Sequence, residues 1–284
     1  MGQLQVHPID PTETDASISG GFGVHQALVD LGVSQNGQLL LFLPGTEAEP
    51  RAYQHVLTEG AELGYHVVGL AYPDSEALAT ACGSDLTCYE PARLEIFDGI
   101  DRSDRVSVDP ANSILNRFVK VLQFLDAKFP SEDWGGFLQN GNPRWGEIAV
   151  AGHSQGGGEA AIIGKTLAVA RVALFSAPID SSNGVPADWV GPPLATPVSQ
   201  YFGFVQQFDP AFSDITTNWV ALGMGDSGSL TSVDNTSPPY GGSHELQSGR
   251  FVLHPHNATA VDADTPFAGG VPVYKPVWDT LLGP

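Results

Sequence analysis

A serine lies between two glycines at Gly152-His153-Ser154-Gln155-Gly156, within the stretch AVAGHSQGGGEA. An apolar run precedes the serine and helix-forming residues follow it, so this G-x-S-x-G spacing falls between a predicted strand and a predicted helix. A tight turn there lifts the hydroxyl clear of the sheet, and the flanking glycines avoid collision with the crossing strand and helix. The pattern predicts a nucleophile at Ser154; the plainer interpretation is a glycine-rich turn with an incidental serine.

The elements that must position this serine are apolar runs of strand length, which alternate with helical patterns. Continuous apolar strands indicate a mostly parallel central sheet with helices on both faces, which is an α/β fold. Functional residues of such sheets gather at the carboxyl ends of the strands, and Ser154 lies at such an end. Predicted strands cover 37–45, 65–73, 146–152, 171–178, part of 197–209 and 229–234, and predicted helices cover 52–64, 109–130, 156–170, 210–224 and 274–283.

The chain has 284 residues, of which 42% are hydrophobic, and can bury a sizeable core. We find no internal repeat or long linker and expect a single α/β domain over 1–284. Residues 1–36 are expected to lead into the core. Two segments, 74–108 and 181–196, are expected to be loop excursions near the functional site.

The stretch 147–160 resembles the nucleophile elbow of the α/β-hydrolase superfamily, and the alternation from about residue 37 to 283 looks like that fold. More loosely, LFLPGT, CGSDLTC, GHSQGG, HNATAVD and VWDTLLG look like pieces of secreted bacterial serine hydrolases of the esterase/lipase type. The resemblance implies acyl transfer through an acyl-enzyme on Ser154, with a histidine base, an aspartate that orients it, and no cofactor.

The same resemblance implies two donors for a negatively charged oxygen in the reaction, an oxyanion hole. One is the main-chain N–H of Gln155. The other comes from the loop after LLLFLPG and points to Thr46, whose hydroxyl would add a third donor. An ordinary Pro-Gly turn would also explain this loop without any function.

Three histidines are candidates for the base, because in this superfamily the base follows the last strand. We favour His256, in HNATAVDADTP, over His244 in a glycine-bearing loop, and place His254 third. A metal held by His254 and His256 is disfavoured because no third ligand is evident, so we expect no metal.

Asp209 is the favoured orienting acid because it ends the apolar run YFGFVQQFD at the carboxyl end of a predicted strand. Asp209-Pro210 is also a good helix start, which is the competing interpretation. Asp180 is the main alternative, since some members of the superfamily place the acid one strand earlier. Asp226 and Asp234 are weaker candidates.

The formal net charge is −20, from 12 basic and 32 acidic side chains. This charge argues against nucleic acid and anionic membranes as partners, because both repel a polyanion. No stretch approaches ~20 uninterrupted apolar residues, so we expect no membrane span. The expected partner is a small-molecule or polymeric ester substrate, and the expected state is a monomer.

Cys82 and Cys88 are the only cysteines, and their spacing allows a small disulfide ring in an oxidising compartment or, alternatively, two reduced thiols. The N-terminal segment MGQLQVHPIDPTETD has no basic start and no apolar core, so we see no signal peptide. We expect a secreted or periplasmic protein, of which this chain would be the mature form.

These observations lead us to expect a serine carboxylic ester hydrolase, carboxylesterase- or lipase-like and possibly active on polyesters. An acyltransferase, thioesterase or peptidase would use the same residues, and no separate motif favours one of them. A catalytically inactive binding module on this fold is a third hypothesis. It is disfavoured because the serine, its glycines and several candidate bases and acids are all present.

Overall fold

The computed structural model describes residues 3–283. Its main sheet has nine strands: β1 (Leu4–Ile9), β2 (His25–Asp30), β3 (Leu39–Leu43), β4 (His66–Gly69), β5 (Ile148–His153), β6 (Arg171–Phe175), β7 (Tyr201–Gln206), β8 (Thr231–Ser232) and β9 (Glu245–Ser248). Their order in space is β1-β2-β4-β3-β5-β6-β7-β9-β8. The pairs β1–β2 and β2–β4 are antiparallel, and the other neighbouring strands of this sheet run parallel.

The helices of residues 3–283 are α1 (Pro11–Thr14), α2 (Gln54–Glu62), α3 (Leu78–Cys82), α4 (Tyr89–Asp98), α5 (Ile114–Lys128), α6 (Gln155–Thr166), α7 (Phe212–Leu222) and α8 (Lys275–Leu282). Short 3-10 turns cover Pro50–Tyr53, Trp134–Phe137, Trp145–Glu147, Val198–Gln200, Met224–Ser227, Tyr240–Gly242 and Asn257–Thr259. Three small antiparallel hairpins pair Leu138–Gln139 with Asn142–Pro143, Ser181–Ser182 with Val185–Pro186, and Phe267–Ala268 with Val271–Pro272.

The sheet separates two hydrophobic cores, because successive side chains of a strand point to opposite faces. In β3, Leu39, Leu41 and Leu43 pack into one core with α4, α5, α6 and α7. Leu40 and Phe42 pack into the other core with α2 and α8. Both faces of the mostly parallel sheet are therefore covered by helices, which confirms the fold class expected from the apolar runs.

The segment 74–108 differs from the expected loop excursion, because it contains α3 and α4. The α4 helix buries charged residues, Arg93 and Glu95, together with apolar ones. It therefore lacks the clean apolar stripe by which α5 is recognised in the sequence. Cys82 at the end of α3 is joined by a disulfide to Cys88, the residue before α4, and the bonded alternative for the two cysteines is confirmed.

No helix within residues 3–283 is both long and apolar enough to cross a membrane.

Candidate active site

Ser154 lies on the turn between β5 and α6, with φ 54° and ψ −120°, in a region that non-glycine residues rarely adopt. Its main-chain N–H donates to the carbonyl oxygen of Phe175 at 2.9 Å, which ties the turn to the end of β6. A side chain at Gly152 would collide with the backbone of Gly156, and one at Gly156 would collide with the backbone at the end of β3, at Leu43 and Pro44. The two glycines thus have the steric role that the spacing indicates.

Of the other predicted residues, His256 contacts this serine and Asp209 contacts His256. The Nε2 atom of His256 lies 2.8 Å from Oγ of Ser154, and its Nδ1 atom lies 2.8 Å from Oδ2 of Asp209. A carboxylate only accepts, so Nδ1 carries the proton and Nε2 of the neutral ring can accept from the serine hydroxyl. The arrangement can remove a proton from Ser154 and return it to a leaving group.

The Asp209 side chain is only 1% exposed, whereas that of His256 is 27% exposed. Oδ1 of Asp209 accepts from the main-chain N–H of Ala211 at 2.8 Å, just before α7, while Oδ2 faces the imidazole. The expected helix start differs in detail, because α7 begins at Phe212 with Ala211 as its N-cap, and Asp209 instead supports the turn that precedes the helix. The carboxylate is fixed at both oxygens.

The alternative residues lie in other contacts. His244 places Nδ1 3.0 Å from the carbonyl oxygen of Tyr201 and stacks on Phe202, and His254 pairs with Asp264. Asp180 accepts two hydrogen bonds from Arg93, at 2.5 and 2.6 Å. Of the remaining aspartates, Asp234 accepts from Ser248 and Gly249, and Asp226 lies in the 3-10 turn Met224–Ser227.

The residues predicted for an oxyanion hole lie beside the serine. Thr46 and Gln155 line the same cavity as Ser154. The Thr46 hydroxyl donates to Oε1 of Gln155 at 3.2 Å, and the main-chain N–H of Leu78 donates to the same oxygen at 3.0 Å. The Thr46 hydroxyl is thus engaged with Gln155 in this structure, so main-chain N–H groups are the better candidates for binding an oxyanion.

The cavity at Ser154 has a volume of about 140 Å³. Pockets that hold drug-sized ligands typically measure ~300–1,000 Å³, so this one fits a small group. Small and apolar side chains supply much of its wall: Ala77, Leu78, Ala79 and Ile179. The disulfide links α3, which supplies part of this wall, to the start of α4.

A buried charge cluster lies under the serine turn. Arg93 donates to Asp180, to Glu159 at 2.8 Å and to the carbonyl oxygen of Gln155 at 3.1 Å. Burial raises the pKa of Glu159 to about 8, although Arg93 acts in the opposite direction. Its Oε2 has no hydrogen-bond partner among the described residues. Sequence reasoning missed Arg93 because α4 was not predicted.

A second group missed from the sequence holds the main chain of His256. The carbonyl oxygen of His256 accepts from Nε2 of His153 at 2.9 Å and from the hydroxyl of Ser176 at 2.9 Å. The residues after it form the turn Asn257–Thr259, where the carbonyl oxygen of Thr259 accepts from the indole of Trp278 in α8 at 2.9 Å. Of these residues, only His153 drew attention in the sequence, through its place beside Ser154 in the G-x-S-x-G motif.

No protein-family model and no curated protein sequence matches this chain. Among solved structures, a thermostable esterase from Pseudomonas putida ECU1011 is similar with 12% identity and a TM-score of 0.48, over 99% of this chain and 82% of that chain. Carboxyl esterase 2 from the mycorrhizal fungus Tuber melanosporum is similar with 11% identity and a TM-score of 0.48, over 99% of this chain and 86% of that chain. A bacterial heroin esterase has 14% identity and a TM-score of 0.40, over 87% and 75%.

The strand order, the two antiparallel pairs at one edge and the sharp turn at Ser154 between β5 and α6 define an α/β-hydrolase fold.

Proposed function

We propose that the chain is a serine carboxylic ester hydrolase that works through an acyl-enzyme on Ser154. The observation that carries the proposal is the continuous contact from Oγ of Ser154 through the His256 ring to the buried carboxylate of Asp209, with both distances at 2.8 Å. Serine hydroxyls are weak nucleophiles unless an adjacent base takes their proton. This geometry supplies such a base, and the aspartate keeps its ring in the required tautomer.

The proposed reaction begins when Oγ of Ser154 attacks the ester carbonyl carbon and its proton moves to Nε2 of His256. The main-chain N–H groups of Thr46 and Gln155 donate to the oxyanion of the tetrahedral intermediate. The bond to the alcohol oxygen then breaks, and that oxygen takes the proton from His256. Water next gives a proton to His256, attacks the acyl carbon and releases the acid, after which Ser154 regains its proton.

The proposed substrates are uncharged esters with a short or medium acyl chain, because the cavity at Ser154 is small and largely apolar. We also propose that the protein acts outside the cytoplasm, since disulfides persist in oxidising compartments and Cys82 is bonded to Cys88.

The proposal is tested with p-nitrophenyl esters of increasing acyl length and with a fluorophosphonate probe. We expect wild-type protein to hydrolyse the shorter esters and to be labelled at Ser154. Ser154→Ala should lose both properties, while the matched variant Ser131→Ala, at an exposed serine, should keep both. A folded wild-type protein that is neither active nor labelled would contradict the proposal and favour a binding module.

A further inference from the structure

His153 is buried, with 3% of its surface exposed, at the last position of β5. Its Nε2 lies 2.9 Å from the carbonyl oxygen of His256, and its Nδ1 lies 3.1 Å from the hydroxyl of Tyr53. A carbonyl oxygen only accepts, so Nε2 of His153 carries a proton and donates it. Burial and the neighbouring His256 lower the pKa of His153 to about 3, so the ring is neutral and Nδ1 accepts from Tyr53.

The hydroxyl of Tyr53 has a second partner, the main-chain N–H of Gly45, at 3.0 Å. The hydroxyl therefore accepts from Gly45 and donates to His153. Gly45 immediately precedes Thr46 in the loop proposed to bind the oxyanion. A Cβ atom at Gly45 would lie 3.1 Å from Nδ1 of His153 and 3.2 Å from Cβ of Ser154, so this loop packs directly on the serine turn.

We propose that His153 is a positioning residue. Together with Tyr53 it holds the main chain of His256 and the loop at Gly45-Thr46 in fixed positions around Ser154. The inference rests on the proposed function. The hydrogen bonds run from Gly45 to Tyr53, from Tyr53 to His153, and from His153 to the main chain of His256. His153 does not touch the reacting atoms; it acts through the backbone of the residue that does.

A neutral donor suits this position for an electrostatic reason. The rings of His153 and His256 have centroids only 5.0 Å apart, and His256 becomes positively charged during the proposed reaction. A second positive charge at this distance would oppose that step, whereas a neutral N–H fixes the carbonyl at no such cost. Ser176 donates to the same carbonyl, so the backbone of the base has two buried partners.

The test compares His153→Leu with His153→Gln, since a glutamine amide can restore a donor near the position of Nε2. We expect kcat for a short p-nitrophenyl ester to fall about 10- to 100-fold in His153→Leu, because small misplacements of catalytic groups are costly. KM should change less than about threefold, and His153→Gln should recover most of kcat. The rate of fluorophosphonate labelling should follow kcat in both variants.

His66→Leu is the matched control. His66 lies in β4 and is also buried. Its Nε2 is 2.6 Å from the backbone carbonyl oxygen of Glu132. It should lose thermal stability and keep kcat within about twofold. If His153→Leu does not fold, Tyr53→Phe takes its place, since it removes only the hydroxyl, and kcat should fall about 3- to 10-fold.

A folded His153→Leu or Tyr53→Phe with wild-type kcat and labelling rate would overturn the inference and leave the proposed function intact. Two other results would also overturn it: a His153→Leu variant whose KM rises by as large a factor as its kcat falls, or a His153→Gln variant whose kcat is as low as that of His153→Leu. A wild-type protein that does not react at Ser154 would remove the proposed function and this inference with it.

Discussion

The substitution Asp209→Asn tests the proposed role of the carboxylate with almost no change in shape. Oδ1 of Asp209 accepts from the main-chain N–H of Ala211, which cannot accept in return. The asparagine oxygen must therefore keep that place, and its amide nitrogen takes the place of Oδ2, 2.8 Å from Nδ1 of His256. Nδ1 must then accept, so the ring proton moves to Nε2, which faces the hydroxyl of Ser154 as a donor.

A ring in that tautomer cannot take the proton of Ser154. We expect kcat near neutral pH to fall about 10⁴-fold, as in serine enzymes where the same change reverses the tautomer. This loss corresponds to about 5.4 kcal/mol of transition-state stabilisation, at about 1.36 kcal/mol for each tenfold change. The protein should remain folded, because both hydrogen bonds of residue 209 can still form.

The assay is steady-state hydrolysis of a short p-nitrophenyl ester at pH 7, with thermal unfolding measured on the same samples. Asp234→Asn is the matched control, since this aspartate also accepts hydrogen bonds after a strand but lies in contact with Ser248 and Gly249. It should keep kcat within about twofold. A loss in Asp209→Asn smaller than tenfold, in folded protein, would refute the reasoning about the tautomer.

Three further predictions concern the base, the disulfide and the buried charge. His256→Ala should lower kcat for a short ester by at least about 10³-fold because it removes the base, whereas His244→Ala should leave kcat within about threefold. Replacing Cys82 and Cys88 together by serine should lower the free energy of unfolding in urea by about 2 kcal/mol, because the bond closes a short loop of sequence separation 6. Burial raises the pKa of Glu159 to about 8, above its usual value of 4.5, so the folded chain binds this proton more tightly and stability falls as pH rises between those values. The urea midpoint of Glu159→Gln relative to wild type should therefore increase from pH 5 to pH 9, by the equivalent of roughly 1–3 kcal/mol.

Each of these has a contrary result. Full activity of His256→Ala with an inactive His244→Ala would move the role of base to the other histidine. Reduced wild-type protein serves as the control for the double serine variant. If oxidised wild type, reduced wild type and the double variant had equal free energies of unfolding, the disulfide would contribute little to stability. A midpoint difference for Glu159→Gln that does not change with pH would mean that Glu159 is already ionised in the folded chain.

Much of the sheet could be predicted because its central strands are continuous apolar runs buried on both faces. The β3 strand reads LLLFL and is fully buried, and the α5 helix keeps a regular apolar face. The strands β1 and β9 could not be recognised in the same way. β1 carries polar residues and Pro8, and β9 reads ELQS, four residues without an apolar pattern.

The absence of an apolar pattern in β9 also explains why His244 stayed an alternative to His256 as the base in the sequence analysis. His244 precedes β9 and His256 follows it, so a rule that places the base after the last strand needs that strand to be visible. The acid was ambiguous for a related reason. Asp180 is paired with Arg93 of α4. Because α4 has no apolar stripe, neither the helix nor this ion pair could be predicted.

The indole of Trp278 holds the turn that follows His256, so the last helix supports a loop on which the proposed chemistry depends. A chain in which α8 has separated from the sheet would keep Ser154 and Asp209 in place and lose this anchor of the proposed base. Hydrolysis should therefore fail at a lower temperature or urea concentration than the one that unfolds the sheet.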